Sequence, residues 1–309
     1  MVNKIKINAG SEQLEYPDIM VGCMRIPEMT VREVSEFIQA ALDEGANFFE
    51  HADIYGGGRS EEVFGEAVMY SGIPRDKLLL QSKVGIRPGI SFDFSKEHIL
   101  KEVDGTLKRL RTDYIDVLLL HRPDTLVEPE QVAEAFDKLQ ADGKVLHFGV
   151  SNQHPMQIEL LKKYVRQPLL FNQLQFSLMH SGMVDQGIYV NMTNPGSVDH
   201  DGGILDYCRL NEITIQAWSP FQYGFFEGVF LDNPKFPELN KAIYEMAKKK
   251  DVTNSAIASA WILRHPAKIQ VVLGTTTPKR IIDIAKASDV SMSREEWYEI
   301  YRAAGNILP

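Results

Sequence analysis

Short apolar runs alternate along the chain with longer segments whose apolar residues recur at helical spacing. Runs of the first kind favour strands, and segments of the second kind favour amphipathic helices. After an N-terminal hairpin over Val2–Tyr16, eight strands are predicted at Ile19–Gly22, Asn47–Glu50, Leu78–Lys83, Tyr114–Leu120, Val145–Val150, Leu169–Gln173, Thr214–Trp218 and Gln270–Leu273. Helices are predicted at Val31–Asp43, Glu61–Met69, Lys96–Leu110, Glu130–Asp142, Met156–Tyr164, Ile204–Leu210, Lys235–Lys250, Ser255–Arg264 and Pro278–Lys286.

Strand–helix alternation of this kind predicts a parallel sheet covered by helices. Asp116–Leu120 is apolar after its first residue and shows no alternation, which is typical of a strand buried on both faces. We therefore predict the α/β class and a single parallel (β/α)8 TIM barrel over residues 1–309, with a C-terminal helix after the capping box Ser293–Glu296. A doubly wound open sheet is the alternative architecture.

Composition narrows the function. A net charge of -9 argues against nucleic acid as a main partner, because phosphate binding favours a basic surface. The N-terminus lacks an apolar run, and no stretch has the length of a membrane span, so we expect a soluble cytoplasmic protein without a membrane partner. The two cysteines, Cys23 and Cys208, are far apart in sequence and are expected to be reduced.

Polar residues stand where the predicted strands end. These residues are Glu50, Asp53, Tyr55, Lys83, His121, Ser151, Asn152, Gln173, Trp218, Ser219 and Gly274 with the three threonines that follow it. The carboxyl ends of all strands surround one mouth of a (β/α)8 barrel, where active sites are built. One such residue would indicate little, but a ring of them is hard to explain by core packing.

Four of these residues form a plausible proton-donating group. Tyr55 or His121 alone could be a hydrogen-bonded packing residue, whereas a lysine such as Lys83 at the end of a buried strand needs a carboxylate partner or a function. Glu50 could supply that carboxylate. A neighbouring ammonium is expected to lower the pKa of a phenol, so that Tyr55 could protonate a carbonyl oxygen while His121 contacts the substrate.

The segment Gly274–Pro278 is placed to bind an anion, because it follows a strand and begins a helix. Arg280 in the first turn could add a charge, and simple N-capping by Thr277 is compatible with this role. Trp218 could be a core aromatic or a surface on which a flat ring stacks. The sequence shows no His-x-His or Cys-x-x-Cys pattern, so no metal is expected.

This ordered set of residues resembles the aldo-keto reductase family from about Asp18 to the end. Phe48–Gly56 is similar to the family's Asp-Thr-Ala-x-x-Tyr-Gly motif, Gln81–Lys83 to the strand of the catalytic lysine, and Leu118–Asp124 to the segment of the catalytic histidine. Gly149–Asn152, Asn172–Gln173, Ala217–Pro220 and Gly274–Arg280 are similar to the family's nicotinamide, ribose and phosphate contacts.

The resemblance implies reduction of a small aldehyde or ketone by hydride transfer, with Tyr55 as the acid, tuned by Lys83 and Glu50, and His121 orienting the substrate. It implies NADP(H), suggested by Arg280, in preference to NAD(H). The residues implied in cofactor binding are Cys23, Met24, Ser151, Asn152, Gln173, Trp218, Ser219, Pro220, Phe221, Gly274, Thr275, Thr276 and Arg280. A monomer or a weak homo-oligomer is expected.

The chain departs from the family pattern at Glu50, where aspartate is usual, and at Gly274 and Ile284, where lysine and asparagine are frequent. The longer Glu50 is expected to weaken catalysis without abolishing it. A non-catalytic, nucleotide-binding subunit that senses redox state is the alternative function. A Schiff-base aldolase using Lys83 is a second alternative, although the expected cofactor residues have no role in that reaction.

Overall fold

The computed structural model describes residues 1–308 of the chain. Its strands are β1 (Lys4–Ala9), β2 (Glu12–Pro17), β3 (Ile19–Gly22), β4 (Phe48–Glu50), β5 (Leu79–Val84), β6 (Ile86–Arg87), β7 (Ser91–Phe92), β8 (Ile115–Leu120), β9 (Val145–Ser151), β10 (Leu169–Gln175), β11 (Thr214–Trp218), β12 (Gln222–Tyr223), β13 (Gly228–Val229) and β14 (Gln270–Leu273). Eight of them close into a parallel barrel in the order β3-β4-β5-β8-β9-β10-β11-β14, with β14 paired to β3. The predicted (β/α)8 barrel is confirmed.

The barrel strands are buried on both faces, which explains their apolar sequences. In β8, Val117 and Leu119 pack inside the barrel, whereas Leu118 and Leu120 pack between the barrel and its helices. Successive side chains of a strand point to opposite faces. The next inward position after Leu119 is therefore His121, directly beyond the end of the strand.

Helices surround the barrel. They are α1 (Val31–Asp43), α2 (Arg59–Ser71), α3 (Lys96–Leu110), α4 (Pro129–Ala141), α5 (Pro155–Lys162), α6 (Gly182–Ile188), α7 (Ile204–Leu210), α8 (Pro237–Lys250), α9 (Asn254–Leu263), α10 (Pro278–Ala285) and α11 (Arg294–Ala303). Four short 3-10 turns lie at Tyr55–Gly58, Arg75–Lys77, Pro195–Ser197 and Lys286–Asp289. The capping boxes that begin α1 at Thr30 and α11 at Ser293 form as expected.

The antiparallel hairpin β1–β2 closes the end of the barrel where the strands begin. Its residues Ile7 and Tyr16 belong to the same buried apolar cluster as the inward-facing barrel residues. The Tyr16 ring lies 5.0 Å from the Phe48 ring and 5.5 Å from the Phe171 ring, measured between centroids. Only the opposite end of the barrel, where the strands finish, is left for a binding site.

A layer of buried glutamines crosses the barrel below that open end. The Gln216 amide donates to Gln81 at 3.0 Å and to Gln270 at 3.1 Å, and the Gln173 amide donates to Gln216 at 3.2 Å. Gln81 donates in return to Gln216 at 2.9 Å. Because a buried amide without partners costs free energy, this mutual bonding fixes the inward side chains on four strands.

The structure adds elements in stretches that the sequence pattern left irregular. Phe176–Gly203 contains α6, and Phe221–Pro234 contains the small β12–β13 hairpin. A further two-residue pair, β6–β7, follows β5. Thr277 does not cap α10 with its side chain; instead the Thr277 amide donates to the Thr275 hydroxyl at 3.1 Å.

Cys23 and Cys208 are buried free thiols, as expected. Within residues 1–308, the helices are all too short or too polar to cross a lipid bilayer.

Candidate functional site

Inward-facing residues at the ends of β4 and β5 bring a carboxylate and an ammonium together. Glu50 ends β4 and Lys83 lies near the end of β5, with side chains 4% and 1% exposed. The Lys83 ammonium forms an ion pair with Glu50 and donates to the His51 carbonyl at 2.9 Å. The buried lysine therefore has the carboxylate partner that the sequence required.

The Tyr55 hydroxyl completes this cluster. Lys83 Nζ donates to the Tyr55 oxygen at 2.8 Å, and the hydroxyl donates to Glu50 Oε1 at 3.0 Å. The phenol thus accepts from a cation and donates to an anion. The structure brings these three predicted residues together at one mouth of the barrel, where the strands end.

A tight turn holds Tyr55 in place. The amides of His51 and Asp53 donate to the carbonyls of Gln81 and Lys83 on β5, and the Tyr55 amide donates to the Ala52 carbonyl. Gly56 follows with φ of +60°, and a β-carbon there would lie 2.6 Å from Pro27 Cγ. Glycine is required at this position both for its backbone conformation and for the close approach of Pro27.

His121 lines the same cavity as Tyr55. Their ring centroids are 6.1 Å apart, and the rings are arranged edge to face. Its amide donates to the Val84 carbonyl at 2.9 Å. Burial and the nearby Lys83 charge keep the pKa of His121 well below its usual range, so its ring is neutral. Its Nδ1 atom is buried and has no partner within residues 1–308, although a neutral imidazole needs one acceptor and one donor contact.

The phenol's acidity differs from the sequence-based expectation. Burial and the Glu50 carboxylate hold the pKa of Tyr55 well above 10, and the expected lowering by Lys83 is not seen. Burial is the main cause, because the phenolate would lose its hydration, and Glu50 adds to the effect. Its carboxylate reaches the hydroxyl itself, so ionisation of the phenol would place two negative charges in contact.

A buried carboxyl, Asp53, lies below the turn. Burial and the neighbouring Glu61 raise the pKa of Asp53 to about 7. Glu61 is fully paired, because it accepts from Arg109 at 2.7 Å, Ser82 at 2.6 Å and Thr106 at 3.1 Å. Asp53 Oδ1 is buried and has no partner within residues 1–308.

A cavity of about 980 Å³ runs from this cluster to the far side of the barrel. Its lining includes most of the predicted residues, namely Met24, Glu50, Tyr55, His121, Ser151, Asn152, Gln173, Trp218, Ser219, Pro220, Phe221, Gly274, Thr275 and Arg280. Lys83 lies beneath the floor. Cys23 and Thr276 do not line the cavity; the Cys23 thiol is completely buried and directed toward the Val21 carbonyl, which corrects the expectation for its side chain.

Amide and hydroxyl groups form a chain along one wall. The Ser151 hydroxyl donates to the Gln173 carbonyl at 3.1 Å, Asn152 Nδ2 donates to Ser151 at 2.7 Å, and Trp218 Nε1 donates to Asn152 at 3.3 Å. Phe226 lies nearly parallel to Trp218 with centroids 5.9 Å apart. This wall therefore combines fixed polar groups with an aromatic face.

Sequence reasoning missed several lining residues. Arg25 donates to the Gly274 carbonyl at 3.1 Å and gives the far end of the cavity a second cation beside Arg280. Arg122, directly after His121, lines the near end, and Asn254 and Ser255 line the wall at the start of α9. The contact between Arg25 and Gly274 depends on the pairing of β14 with β3, which local sequence does not reveal.

The Aldo/keto reductase family model matches residues 18–304. The chain is a member of the aldo/keto reductase family. It is therefore related to oxidoreductases over nearly its whole length.

Similar proteins of this family include enzymes with stated activities and a relative of another kind. The chain is 33% identical over 307 residues to a 6-dehydroglucose reductase of Agrobacterium fabrum, covering 95% of this chain and 96% of that protein. It is 27% identical over 285 residues to a Schizosaccharomyces pombe protein named for a voltage-gated potassium channel β subunit, covering 83% and 79% of the two chains. The aldo/keto reductase of Klebsiella pneumoniae, solved in complex with NADP and acetate, matches with a TM-score of 0.75 and 25% identity, covering 97% of this chain and 95% of that one.

Proposed function

We propose that this aldo/keto reductase reduces an aldehyde or ketone to an alcohol with NADPH, and that Tyr55 is the proton donor. The observation that carries the proposal is the Tyr55 hydroxyl, which contacts both Lys83 and Glu50 and lines the same cavity as His121. A phenol needs such neighbours to exchange its proton in a site that excludes water.

Each of the four polar residues at this end of the cavity has a separate role in the proposed reaction. Tyr55 donates its proton to the carbonyl oxygen as that oxygen gains negative charge, and the Lys83 ammonium 2.8 Å away stabilises the phenolate that remains. His121 is neutral, so a protonated ring nitrogen can donate to the carbonyl oxygen and orient it. Glu50 keeps Lys83 charged and in position.

The cavity fits a nicotinamide cofactor. Its volume of about 980 Å³ lies at the upper end for small-molecule sites, and its far end carries Arg25 and Arg280 beside the start of α10. We expect these two cations and Gly274–Thr275 to hold the phosphates, Ser151, Asn152 and Gln173 to hold the carboxamide, and Trp218 to stack on the ring. The bound cofactor supplies the hydride. NADPH is proposed because of the two cations and because a similar protein was solved with NADP.

The aldolase alternative is disfavoured by the state of Lys83. A Schiff base needs a free amine within reach of the substrate. The Lys83 nitrogen is instead bonded to Glu50, Tyr55 and His51, and its side chain is 1% exposed.

The redox-sensing subunit stays the second candidate. It is favoured by the similarity to a protein named for a channel β subunit and by the unusually weak acidity of Tyr55. Such a protein would bind the cofactor and turn over slowly or not at all. We also propose that residues 1–309 act as one domain, since one barrel accounts for nearly the whole chain.

The experiment mixes the purified protein with NADPH or NADH and follows binding by intrinsic fluorescence and oxidation at 340 nm with a panel of aldehydes and ketones. The proposal predicts carbonyl-dependent oxidation that is faster with NADPH than with NADH. Tight cofactor binding without oxidation would favour the sensing subunit, and no binding of either cofactor would contradict both.

A further inference from the structure

Arg122 is a cation at the active-site cavity that has no anionic partner among residues 1–308. Its guanidinium is half-buried, and within residues 1–308 it forms neither a hydrogen bond nor an ion pair with another side chain or carbonyl. Its neighbours are aromatic: the guanidinium carbon lies 5.6 Å from the Trp218 ring centre and 6.0 Å from that of Phe225. These distances are near the limit of a cation–π contact, so they compensate little of the cost of burial.

The position of Arg122 separates it from the phosphate end of the cavity. Arg122 follows β8, whereas Arg25 and Arg280 lie beside β3 and β14. Between β8 and β14 the barrel order places three strands, β9, β10 and β11. The anion that Arg122 lacks is therefore distinct from the phosphates expected at Gly274.

A second cavity of about 780 Å³ begins at Arg122. It shares Arg122, Asn152, Trp218 and Phe225 with the first cavity, so these residues form the passage between the two. The rest of its lining includes the polar side chains of Gln175, His180, Ser181 and Asn306. A substrate whose carbonyl lies at Tyr55 can thus extend past Arg122 into a polar space.

The carboxylates of the second cavity are already engaged. Asp185 accepts from Tyr301 at 2.7 Å and from Ser181 at 3.1 Å. Asp201 accepts from Gln186 at 2.6 Å and from the Ile204 amide at 3.2 Å. Neither carboxylate forms an ion pair with Arg122, so the guanidinium stays available for a ligand.

We propose that Arg122 binds a carboxylate of the substrate, and that the enzyme therefore prefers oxo acids, compounds that carry both a carbonyl and a carboxylate. A guanidinium presents a planar fork of donors that matches a carboxylate in two parallel hydrogen bonds. Arg122 is adjacent to His121, so a carboxylate held there directs the other end of a short molecule toward Tyr55. The preference for oxo acids as substrates rests on the proposed reductase function, whereas the binding of a carboxylate by Arg122 does not.

The turnover test compares acids with their uncharged esters in the presence of NADPH. 4-Oxobutanoate and 3-formylbenzoate are each paired with the corresponding methyl ester, and kcat and KM are measured for the wild type and Arg122→Gln. We expect the wild type to prefer the acids and Arg122→Gln to lower kcat/KM for the acids about 10- to 100-fold, mainly through KM, which corresponds to the loss of a charged contact. The esters should change less than about threefold.

Two further variants control for charge. Arg32→Gln on α1 removes the same charge from a side chain that is 79% exposed, and it should leave the preference for acids unchanged. Arg122→Lys retains the charge and should keep more of the preference than Arg122→Gln. Equal losses on acids and esters, or no loss on either, would overturn the proposal.

A binding measurement separates this inference from the proposed reaction. Calorimetry with benzoate and benzamide on the wild type and Arg122→Gln, with NADP+ present, needs no turnover. Benzoate binding that weakens at least tenfold in Arg122→Gln, while benzamide binding is unchanged, supports the inference even if no carbonyl is reduced. Equal benzoate binding by the two proteins would overturn it even in an active reductase.

Discussion

The carboxylate of Glu50 lies between two groups and holds both of them. It pairs with the Lys83 ammonium and accepts a hydrogen bond from the Tyr55 hydroxyl at 3.0 Å. The family usually has aspartate here, and the extra methylene of glutamate brings the carboxylate to the phenol itself. Burial first, and this contact in addition, hold the pKa of Tyr55 well above 10. The sequence predicted the departure and its weakening effect, but the direct contact required the structure.

Shortening this side chain should release the phenol. We expect Glu50→Asp to retain the Lys83 ion pair, to lose the contact with Tyr55 and to raise kcat about three- to tenfold, or about 0.7–1.4 kcal/mol in activation free energy. The pKa of Tyr55 should fall at the same time, so an alkaline loss of activity that the wild type does not show up to pH 10 should begin at lower pH in Glu50→Asp. Steady-state kinetics from pH 5 to 10 compare the two proteins, with Glu50→Gln as the variant that should lose activity. Lower turnover in Glu50→Asp would contradict this account.

At the scale of single elements, the turn after β4 links the site to the barrel. The sequence placed Lys83, His121 and Gln173 at the ends of predicted strands and so at the mouth of the barrel. His121 and Gln173 do line the cavity there. It could not give the conformation of Tyr55–Gly58 or the buried carboxyls beneath it, since these depend on contacts with Pro27 and α3. The helix α6 was missed because Gly182–Ile188 is short and contains two glycines, which are poor helix formers.

Two glycines of this turn offer a matched comparison. Gly56 and Gly57 have φ of +60° and +63°, but a β-carbon would meet Pro27 at 2.6 Å in the first case and nothing within 4 Å in the second. Alanine at Gly57 should cost about 1 kcal/mol in unfolding free energy from backbone strain alone. Gly56→Ala should cost more and lower kcat at least tenfold, because it displaces Tyr55. Thermal unfolding and kinetics measure both, and equal effects of the two variants would exclude the Pro27 contact as the cause.

Asp53 should make stability depend on pH. Its pKa is about 7 in the folded protein and about 3.9 in an unfolded chain, so the folded state retains a proton that the unfolded state loses. The stabilisation that Asp53 contributes is therefore fully present below pH 4 and is lost as the pH rises toward 7. Above pH 7 the unfolding free energy no longer changes because of this group. Asp53→Asn removes this pH dependence. The unfolding free energy of Asp53→Asn minus that of the wild type should therefore be larger at pH 8 than at pH 4, by about 2 kcal/mol or more.

Denaturant unfolding at both pH values tests the expectation for Asp53. The exposed Asp76, which has no ion pair within residues 1–308, provides the control substitution Asp76→Asn, which should change stability equally at the two pH values. A difference between Asp53→Asn and the wild type that does not change with pH would show that Asp53 is ionised in the folded protein.

At the scale of the whole molecule, the barrel brings together residues that are far apart in the sequence. Eight apolar strands and their order along the chain were enough to predict the closed barrel, and the polar residues at the strand ends gave part of the cavity lining. The cations that the pattern did not assign, Arg25 and Arg122, follow strand ends but carry no local signal. Their roles depend on which strands are neighbours and on whether another side chain already pairs with them, and only the folded chain determines both.

The cavity's far end should determine the preference for NADPH. We expect Arg280→Gln to raise the KM for NADPH about tenfold, equivalent to about 1.4 kcal/mol, and to change the KM for NADH less than about threefold, since only NADPH carries the additional phosphate. Arg294→Gln removes an exposed charge from α11 and serves as the control. Equal changes for the two cofactors would place the additional phosphate elsewhere.

The role of Tyr55 as proton donor is best tested by carbonyl-dependent NADPH oxidation in Tyr55→Phe, with NADPH affinity measured on the same sample. We predict a loss of about 10²-fold or more in kcat with little change in NADPH binding, because only the proton donor is removed. Tyr70→Phe, at a tyrosine 68% exposed on α2, should behave as the wild type. Undiminished turnover in Tyr55→Phe would contradict the account.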